Sequence, residues 1–438
     1  MPQLVFLTFL LGLTTGKATV SLQADASIAS IRLELGGRSV ATMTQAPWSA
    51  DVDFGPELIP QRLVAIGYAA DGREIARTSQ DVNLPRGAVE VEILLQNENG
   101  QPARAKLVAR SRKHVEPAQT QLSLDGEPLP VGADLSAGVP QLDWRHPHVL
   151  SAVVTFRDGE VARSETIVAG GLGQNVSSDL TPVAVAKDRR KSDPQTLGGC
   201  FALDGAPVRA NALEPTNPLV IVVKNPAYEL PPTNRSPGAW WFSPLAREYR
   251  LDADTSVRIL WATPEQYAAR GEPTYSLFPP TIDFSATQFG MAWLVTRAPA
   301  PPPNGPKRFA DAVGVAGLAA YQSGRRRAVV LLLDESPDLS LHSPEVVRRY
   351  LDRLGVPLFV WSIGKFPSRG WGNVVDITSR YNLTTAVDAV KDALSKQRIV
   401  WVATDPLASL RIEGNDRCGL KPLAAPATKP DANRRPAS

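Results

Sequence analysis

The sequence predicts an all-β first half followed by an α/β second half. Three observations carry that division. Residues 19–190 read as short alternating strands closed by glycine turns, and the pattern returns after about 87 residues. From about residue 196, continuous apolar runs alternate with segments of helical period. Proline is abundant, 39 of 438 residues, and gathers in turns, in one loop and in the tail, where it does not break regular structure.

The chain opens with an uncharged apolar run, Leu4 to Leu13, followed by small residues up to Ala18. The run is too short to span a bilayer, which needs about 20 residues. It reads as a leader (1–18) cut after Ala18, although no Lys or Arg precedes it. The mature chain is then expected to be secreted or periplasmic, with no transmembrane segment.

Ser30 to Leu35 alternates, with Ile31, Leu33 and Leu35 on one face, and Gly36-Gly37 turns the chain. Leu63 to Tyr68 is a second strand, and Asp71-Gly72 marks a hairpin. The same pieces recur: Leu122 to Gly126 matches Leu33 to Gly37, Leu150 to Phe156 matches Leu63 to Tyr68, and Asp158-Gly159 matches Asp71-Gly72. This spacing suits two tandem immunoglobulin-like sandwiches, residues 19–96 and 97–190. Trp48 and Trp144 are expected to fill a core or its rim. His146 and His148 lack a Cys or carboxylate cluster beside them, which argues for a turn before a strand and against a metal site.

The α/β half is expected over residues 196–412. Leu219 to Val223, Val257 to Trp261, Met291 to Val295, Ala328 to Leu333 and Val356 to Ile363 read as strands of a mostly parallel sheet. The Pro-rich segment Pro299 to Pro306 reads as a loop. Phe309, Val313, Ala316 and Ala320 share a helical face. Ser343-Pro344-Glu345 opens another helix and Gly355 ends it. Thr385 to Lys396 is a third helix, and Ile399 to Val402 is expected to close the domain. Open parallel sheets bind ligands at the carboxyl ends of their strands, so the loops after Val223, Val295 and Leu333 are where a site is sought.

Charge excludes one class. The chain carries 47 basic and 44 acidic side chains, whereas a nucleic-acid binder shows a marked basic excess. The excess of +3 sits in the tail, 419–438, where Lys421, Lys429, Arg434 and Arg435 face only Asp431; that Pro- and Ala-rich stretch reads as disordered. The run Arg325-Arg326-Arg327 reads as a helix-to-strand connection with positive charge near a helix C-terminus. Cys200 and Cys418 flank the α/β half. In an oxidising compartment a bridge between them would clasp it.

The segments Arg308 to Ala320, Arg325 to Leu333, Val346 to Leu351 and Gly355 to Trp361 resemble the second half of a von Willebrand factor A (VWFA) domain. The likeness is to secreted bacterial proteins in which immunoglobulin-like repeats precede such a domain. The resemblance implies a Rossmann-like α/β fold and an adhesion or protein-binding role. Members of that family often hold a divalent cation through an Asp-x-Ser-x-Ser motif, a Thr and a further Asp. Here the motif positions fall on Lys224, Pro226 and Tyr228, and only Asp334, followed by Glu335, stands where an acid is expected. No conventional metal site and no cofactor are therefore expected.

No Gly-x-Ser-x-Gly elbow and no phosphate loop occurs. The one His of the α/β half, His342, lies in a polar stretch and reads as a solvated loop residue. A non-catalytic protein-binding chain is the expectation, with a protein partner of unread identity and no nucleic acid. Its candidate contact residues are Lys224, Tyr228, Asp334, Glu335, Trp240, Trp241 and Phe242. The alternatives are a metal-dependent adhesion module with other ligands, or an enzyme without a readable motif.

Overall fold

The structure, a computed structural model, describes residues 4–8, 10, 12–84, 89–98, 101–111, 116–142, 148–157, 161–169, 172–176, 180–188, 194, 196–214, 216–224, 251–252, 254–264, 278, 284–285, 305–364, 366 and 369–424. The chain divides into two compact units, residues 1–56 with 60–179, and residues 57–59 with 180–438.

Among the described residues, the first unit is antiparallel throughout. Its first seven strands are β1 (Leu4–Phe6), β2 (Lys17–Ala24), β3 (Ser30–Leu35), β4 (Arg38–Met43), β5 (Ser49–Asp53), β6 (Gln61–Tyr68) and β7 (Glu74–Val82). They form one sheet in the order β4-β3-β6-β7 and another in the order β1-β2-β5. Alternation places Ile31, Leu33 and Leu35 in a core with Val20, Leu22, Val52, Leu63 and Val82. Trp48 packs half-buried against it.

The next eight strands are β8 (Val89–Glu98), β9 (Gln101–Ser111), β10 (Pro117–Leu124), β11 (Glu127–Leu129), β12 (Ser136–Gly138), β13 (His148–Phe156), β14 (Val161–Ala169) and β15 (Leu172–Val176). Their sheets run β11-β10-β13-β14-β15 and β12-β9-β8. The internal repeat is thus a repeat of topology: β3, β4, β6 and β7 correspond to β10, β11, β13 and β14. Both first hairpins turn on two left-handed residues, Gly36-Gly37 (φ 56° and 80°) and Asp125-Gly126 (φ 51° and 89°). That pair of positive φ values gives the turn whose twist matches its strands. The sandwich-like sheets agree with the expected all-β repeats. Trp144 and His146 lie outside the described residues.

Within Leu4 to Leu13, the run that reads as a leader, Leu4–Phe6 forms a strand paired antiparallel with β2 in the full-length chain. Leu4, Phe6 and Leu10 belong to the first core. An apolar run of this length satisfies a leader and a buried strand equally well. Among the described residues, no helix is long and apolar enough to cross a membrane.

The second unit begins with β16 (Leu180–Lys187), β17 (Phe201–Leu203), β18 (Ala206–Pro207) and β19 (Ala210–Glu214). A sheet follows, built from β20 (Leu219–Lys224), β21 (Ser256–Trp261), β22 (Phe284–Ser285), β23 (Arg327–Leu333), β24 (Leu358–Ser362) and β25 (Val374–Asp376). Its order is β22-β21-β20-β23-β24-β25. Five strands are parallel and the edge strand β22 is antiparallel. Every residue of β20 and β23 is buried, as strands covered on both faces require. Met291 to Val295 lies outside the described residues.

Among the described residues, three helices flank the sheet: α1 (Phe309–Gln322), α2 (Pro344–Leu354) and α3 (Arg380–Lys396). Helix α3 lays Leu383, Ala386, Val387, Val390 and Leu394 on the sheet face that carries Val220, Val222, Val330 and Leu332. Helix α1 packs against β20 and β23 and against α2. Ser343 caps α2 by accepting from the N–H of Val346, and Gly355 ends it at φ 62°.

The remaining strands are β26 (Gln397–Ala403), β27 (Ile412–Gly414) and β28 (Leu420–Pro422). Strand β26, expected to close the domain, lies in an antiparallel sheet of order β19-β26-β16-β28. Strand β16, counted with the second sandwich in the sequence, is its neighbour there. Cys200 and Cys418 are joined by a disulfide, with Cα atoms 5.6 Å apart, inside the core of Val183, Val185, Phe201, Val400 and Ile412.

The arginine run is structural, as read. Arg325 donates to the carbonyls of Asn217 (2.8 Å) and Pro218 (2.9 Å). Arg326 pairs with Asp254 at 3.1 Å. Arg327 is wholly buried and reaches the carbonyls of Tyr321 (3.3 Å) and Leu354 (3.1 Å), at the last turns of α1 and α2. A cation there complements the negative ends of two helices. Burial pushes its guanidinium down to about 10.

Candidate functional site at the carboxyl ends of the parallel strands

The chain enters the parallel sheet at its centre, runs outward through β21 and β22, then crosses back to β23. The switch point therefore lies between β20 and β23, where Lys224 ends its strand and Asp334 follows the last residue of the other. Crevices at such points are the usual ligand seats of open parallel sheets.

Lys224 was expected on an exposed loop. It is instead the last residue of β20, paired with Trp261 on one side and Leu332 on the other, and it is fully buried. Its ammonium sits 5.9 Å from the centre of the Trp261 ring. Burial strips water from the charged form and pushes the amine down to about 8. Asp334 is also buried, its carboxylate accepting from the N–H of Ser336 at 2.8 Å. Glu335 is exposed. Neither Lys224 nor Asp334 is presented as a surface contact. Pro226, Tyr228, Trp240, Trp241 and Phe242 lie outside the described residues.

The neighbouring side chains are filled from within. Thr263 is buried, and its hydroxyl accepts from the Lys307 ammonium at 3.2 Å. The segment after β23 folds over the start of α1. Asp338 accepts from the N–H groups of Phe309 (2.9 Å) and Ala310 (3.2 Å), and Ser340 Oγ from that of Asp311 (3.1 Å). Arg308, which precedes α1, makes no side-chain cap, so these residues satisfy the helix's free donors from another part of the chain.

Asp311 completes this arrangement. Fully buried, it holds His342 Nδ1 at 2.7 Å and accepts from the N–H groups of Leu341 (3.0 Å) and His342 (3.2 Å) and from Arg308 Nε (2.7 Å). With a carboxylate as its neighbour, Nδ1 carries the proton. Burial raises the Asp311 carboxyl, but hydrogen bonds from His342 and Leu341 and the Arg308 charge outweigh it, so it sits below the usual range. His342 was read as a solvated loop residue; its side chain is 4% exposed. A buried carboxylate explains why: it supplies the acceptor that solvent would have supplied. The sequence showed this only as one acid in an otherwise apolar helical segment, FADAVGVAGLAA.

A divalent cation does not fit this set. Lys224 places a positive charge where the resemblance requires the chief carboxylate, and Lys307 holds the hydroxyl of Thr263. Among the described residues, no three of His, Cys, Asp or Glu stand close enough to hold a metal ion. In the first unit, His148 Nδ1 lies 2.6 Å from Asp125, whose other oxygen accepts from the N–H of Val149 at 2.8 Å. The pair fixes a hairpin turn.

No family model matches the chain. No curated protein matches it either. Among solved structures, it is similar to fibronectin(III)-like modules of Clostridium thermocellum CbhA, at 13% identity over 38% of this chain and 93% of that one, with a TM-score of 0.16. It is similar to the central fibronectin-III array of RIM-binding protein, at 11% identity over 47% of this chain and 79% of that one, TM-score 0.21. A third likeness is to the Bacteroides ovatus mixed-linkage glucan utilization protein SGBP-B, at 12% identity over 48% of this chain and 58% of that one, TM-score 0.14. Likenesses of this size carry no argument about what the chain binds.

Proposed function

We propose that the chain is an exported, non-catalytic protein-binding protein whose second half is a degenerate VWFA-like domain that works without a metal ion. One observation carries the reading: the end of the central strand, where a metal-binding member of that family needs a carboxylate, is the buried cation Lys224. The internal capping of α1 by Asp338 and Ser340 supports it, because those oxygens are already used. The disulfide Cys200–Cys418 supports an oxidising compartment. Contacts to the partner fall to the exposed Glu335 and to the sequence candidates Tyr228 and Trp240–Phe242, which lie outside the described residues.

Thermal melts in EDTA and then in excess Mg²⁺ test this reading. Superimposable melts are expected. A Mg²⁺-dependent rise of several degrees overturns the metal-free domain. Crosslinked pull-downs from the source cell envelope in EDTA are expected to retain a protein partner that the Glu335→Lys chain recovers less well.

A further inference from the structure

The first sandwich is completed by a strand drawn from the segment that reads as a leader. Leu4, Val5 and Phe6 pair with Ala24, Gln23 and Leu22. Leu4 and Phe6 point into the core, while Leu7 is 55% exposed. The second sandwich has its own strand in the equivalent place: β8 pairs with β9 and β9 with β12, as β1 pairs with β2 and β2 with β5. Val91 and Ile93, both in the second core, stand at the same offset from Leu4 and Phe6 as Leu150 does from Leu63. The architecture therefore needs a strand at this position.

The seat also grips the backbone of what lies in it. Gln80, nearly wholly buried, donates to the carbonyl of Thr8 (3.1 Å) and accepts from the N–H of Leu10 (3.3 Å). Asn83, equally buried, accepts from the N–H of Thr14 (2.7 Å) and donates to its carbonyl (3.0 Å). Two buried amides that bond main-chain groups hold the chain that follows β1 whatever its side chains. Cleavage after Ala18 removes all four bonds and the apolar side chains of Leu4, Phe6, Leu10 and Leu13, yet leaves β2 paired with β5 from Thr19 onward. The result is an open strand edge beside an uncovered core, the arrangement that strand addition fills.

We propose that this seat is a strand-accepting groove: after the leader is removed, an extended segment of a partner protein, apolar at alternate residues, takes the place of β1. The inference deepens the protein-binding reading and rests on its export; the metal melts report on the other unit and fail independently.

Terminal sequencing of the exported protein is the first test, with Thr19 expected as its first residue. Retention of Leu4–Thr14 overturns the proposal. The exported form is then titrated with a fluorescent peptide of residues 4–15 as a stand-in for the partner. Saturable binding is expected, weakened by about tenfold or more in a peptide with Leu4→Asp and Phe6→Asp, and little changed by Val5→Ser with Leu7→Ser. Gln80→Ala in the protein is expected to weaken it also. No saturable binding, or equal binding of the double-Asp peptide, overturns the groove. Where the exported form aggregates alone, peptide-dependent recovery of soluble monomer supports the groove, and aggregation regardless of peptide overturns it.

Discussion

The Nδ1 atom of His342 lies 2.7 Å from Oδ1 of Asp311, in the interior of the α/β unit. One carboxylate on the first turn of α1 thereby anchors the segment that follows β23. Asp338 and Ser340 of that segment cap α1 in return, so the helix start and the loop hold each other.

Breaking this anchor is expected to be costly. Asp311→Ala leaves His342 and Arg308 without their acid and should destabilise the protein by about 3–5 kcal/mol, read as a lower urea midpoint at pH 7. The folded carboxyl lies below its usual 3.8, so its stabilisation is fully present above that value and is lost as pH falls through the folded one. Asp311→Asn should flatten that part of the acid limb in melts taken from pH 6 down to pH 2.

Lys224 has the opposite sign. Its folded pKa is lowered from 10.5 to about 8, so at neutral pH the protein bears the cost of a buried charge. Lys224→Met is expected to stabilise by about 1–3 kcal/mol at pH 7. Between about pH 8 and pH 10.5 the unfolded chain still binds a proton that the folded chain has shed, and the wild type gains on the variant. Paired thermal melts across that interval check both statements; a variant less stable than wild type at pH 7 refutes them.

The disulfide closes a loop of 218 residues. In the chain-entropy model, removing it costs about 5 kcal/mol. Cys200→Ser with Cys418→Ser should lower the urea midpoint, and dithiothreitol should lower the wild-type melting temperature while leaving the variant's unchanged.

Gly317 of α1 packs directly against Leu351 of α2. A Cβ there would stand 2.5 Å from Leu351 Cδ1 and 2.8 Å from Cγ. Gly317→Ala is expected to destabilise by about 1–3 kcal/mol through overpacking. Adding Leu351→Ala should cost less than the sum of the two single changes, as a double-mutant cycle in urea measures.

The repeat was legible because alternating strands and two-residue turns are local: Ile31, Leu33 and Leu35 and the pair Gly36-Gly37 announce themselves within eight residues. Helix α2 was legible for the same reason, from Ser343, Pro344 and Gly355. The role of Arg325 to Arg327 also followed from local charge near a helix end. What was not legible depends on pairing across long separations. Strand β26 pairs with β16 more than 200 residues away, and nothing in its own residues names that partner. Lys224 looked like a loop residue because the strand signal stops at the last apolar side chain, whereas the backbone ladder continues one residue further. Asp311 and His342 are 31 residues apart, so neither predicts the other's burial.

The second unit starts and finishes in one sheet, since β16 pairs directly with β28 through Val185 to Lys187 and Leu420 to Pro422. A pulling force applied across this half enters at the first of these strands and leaves at the last. Even if their pairing yields, the Cys200–Cys418 bond shunts the tension past everything between them. The parallel sheet is mechanically sheltered, and a chain stretched between two attachments would keep that part folded while the load runs through its base.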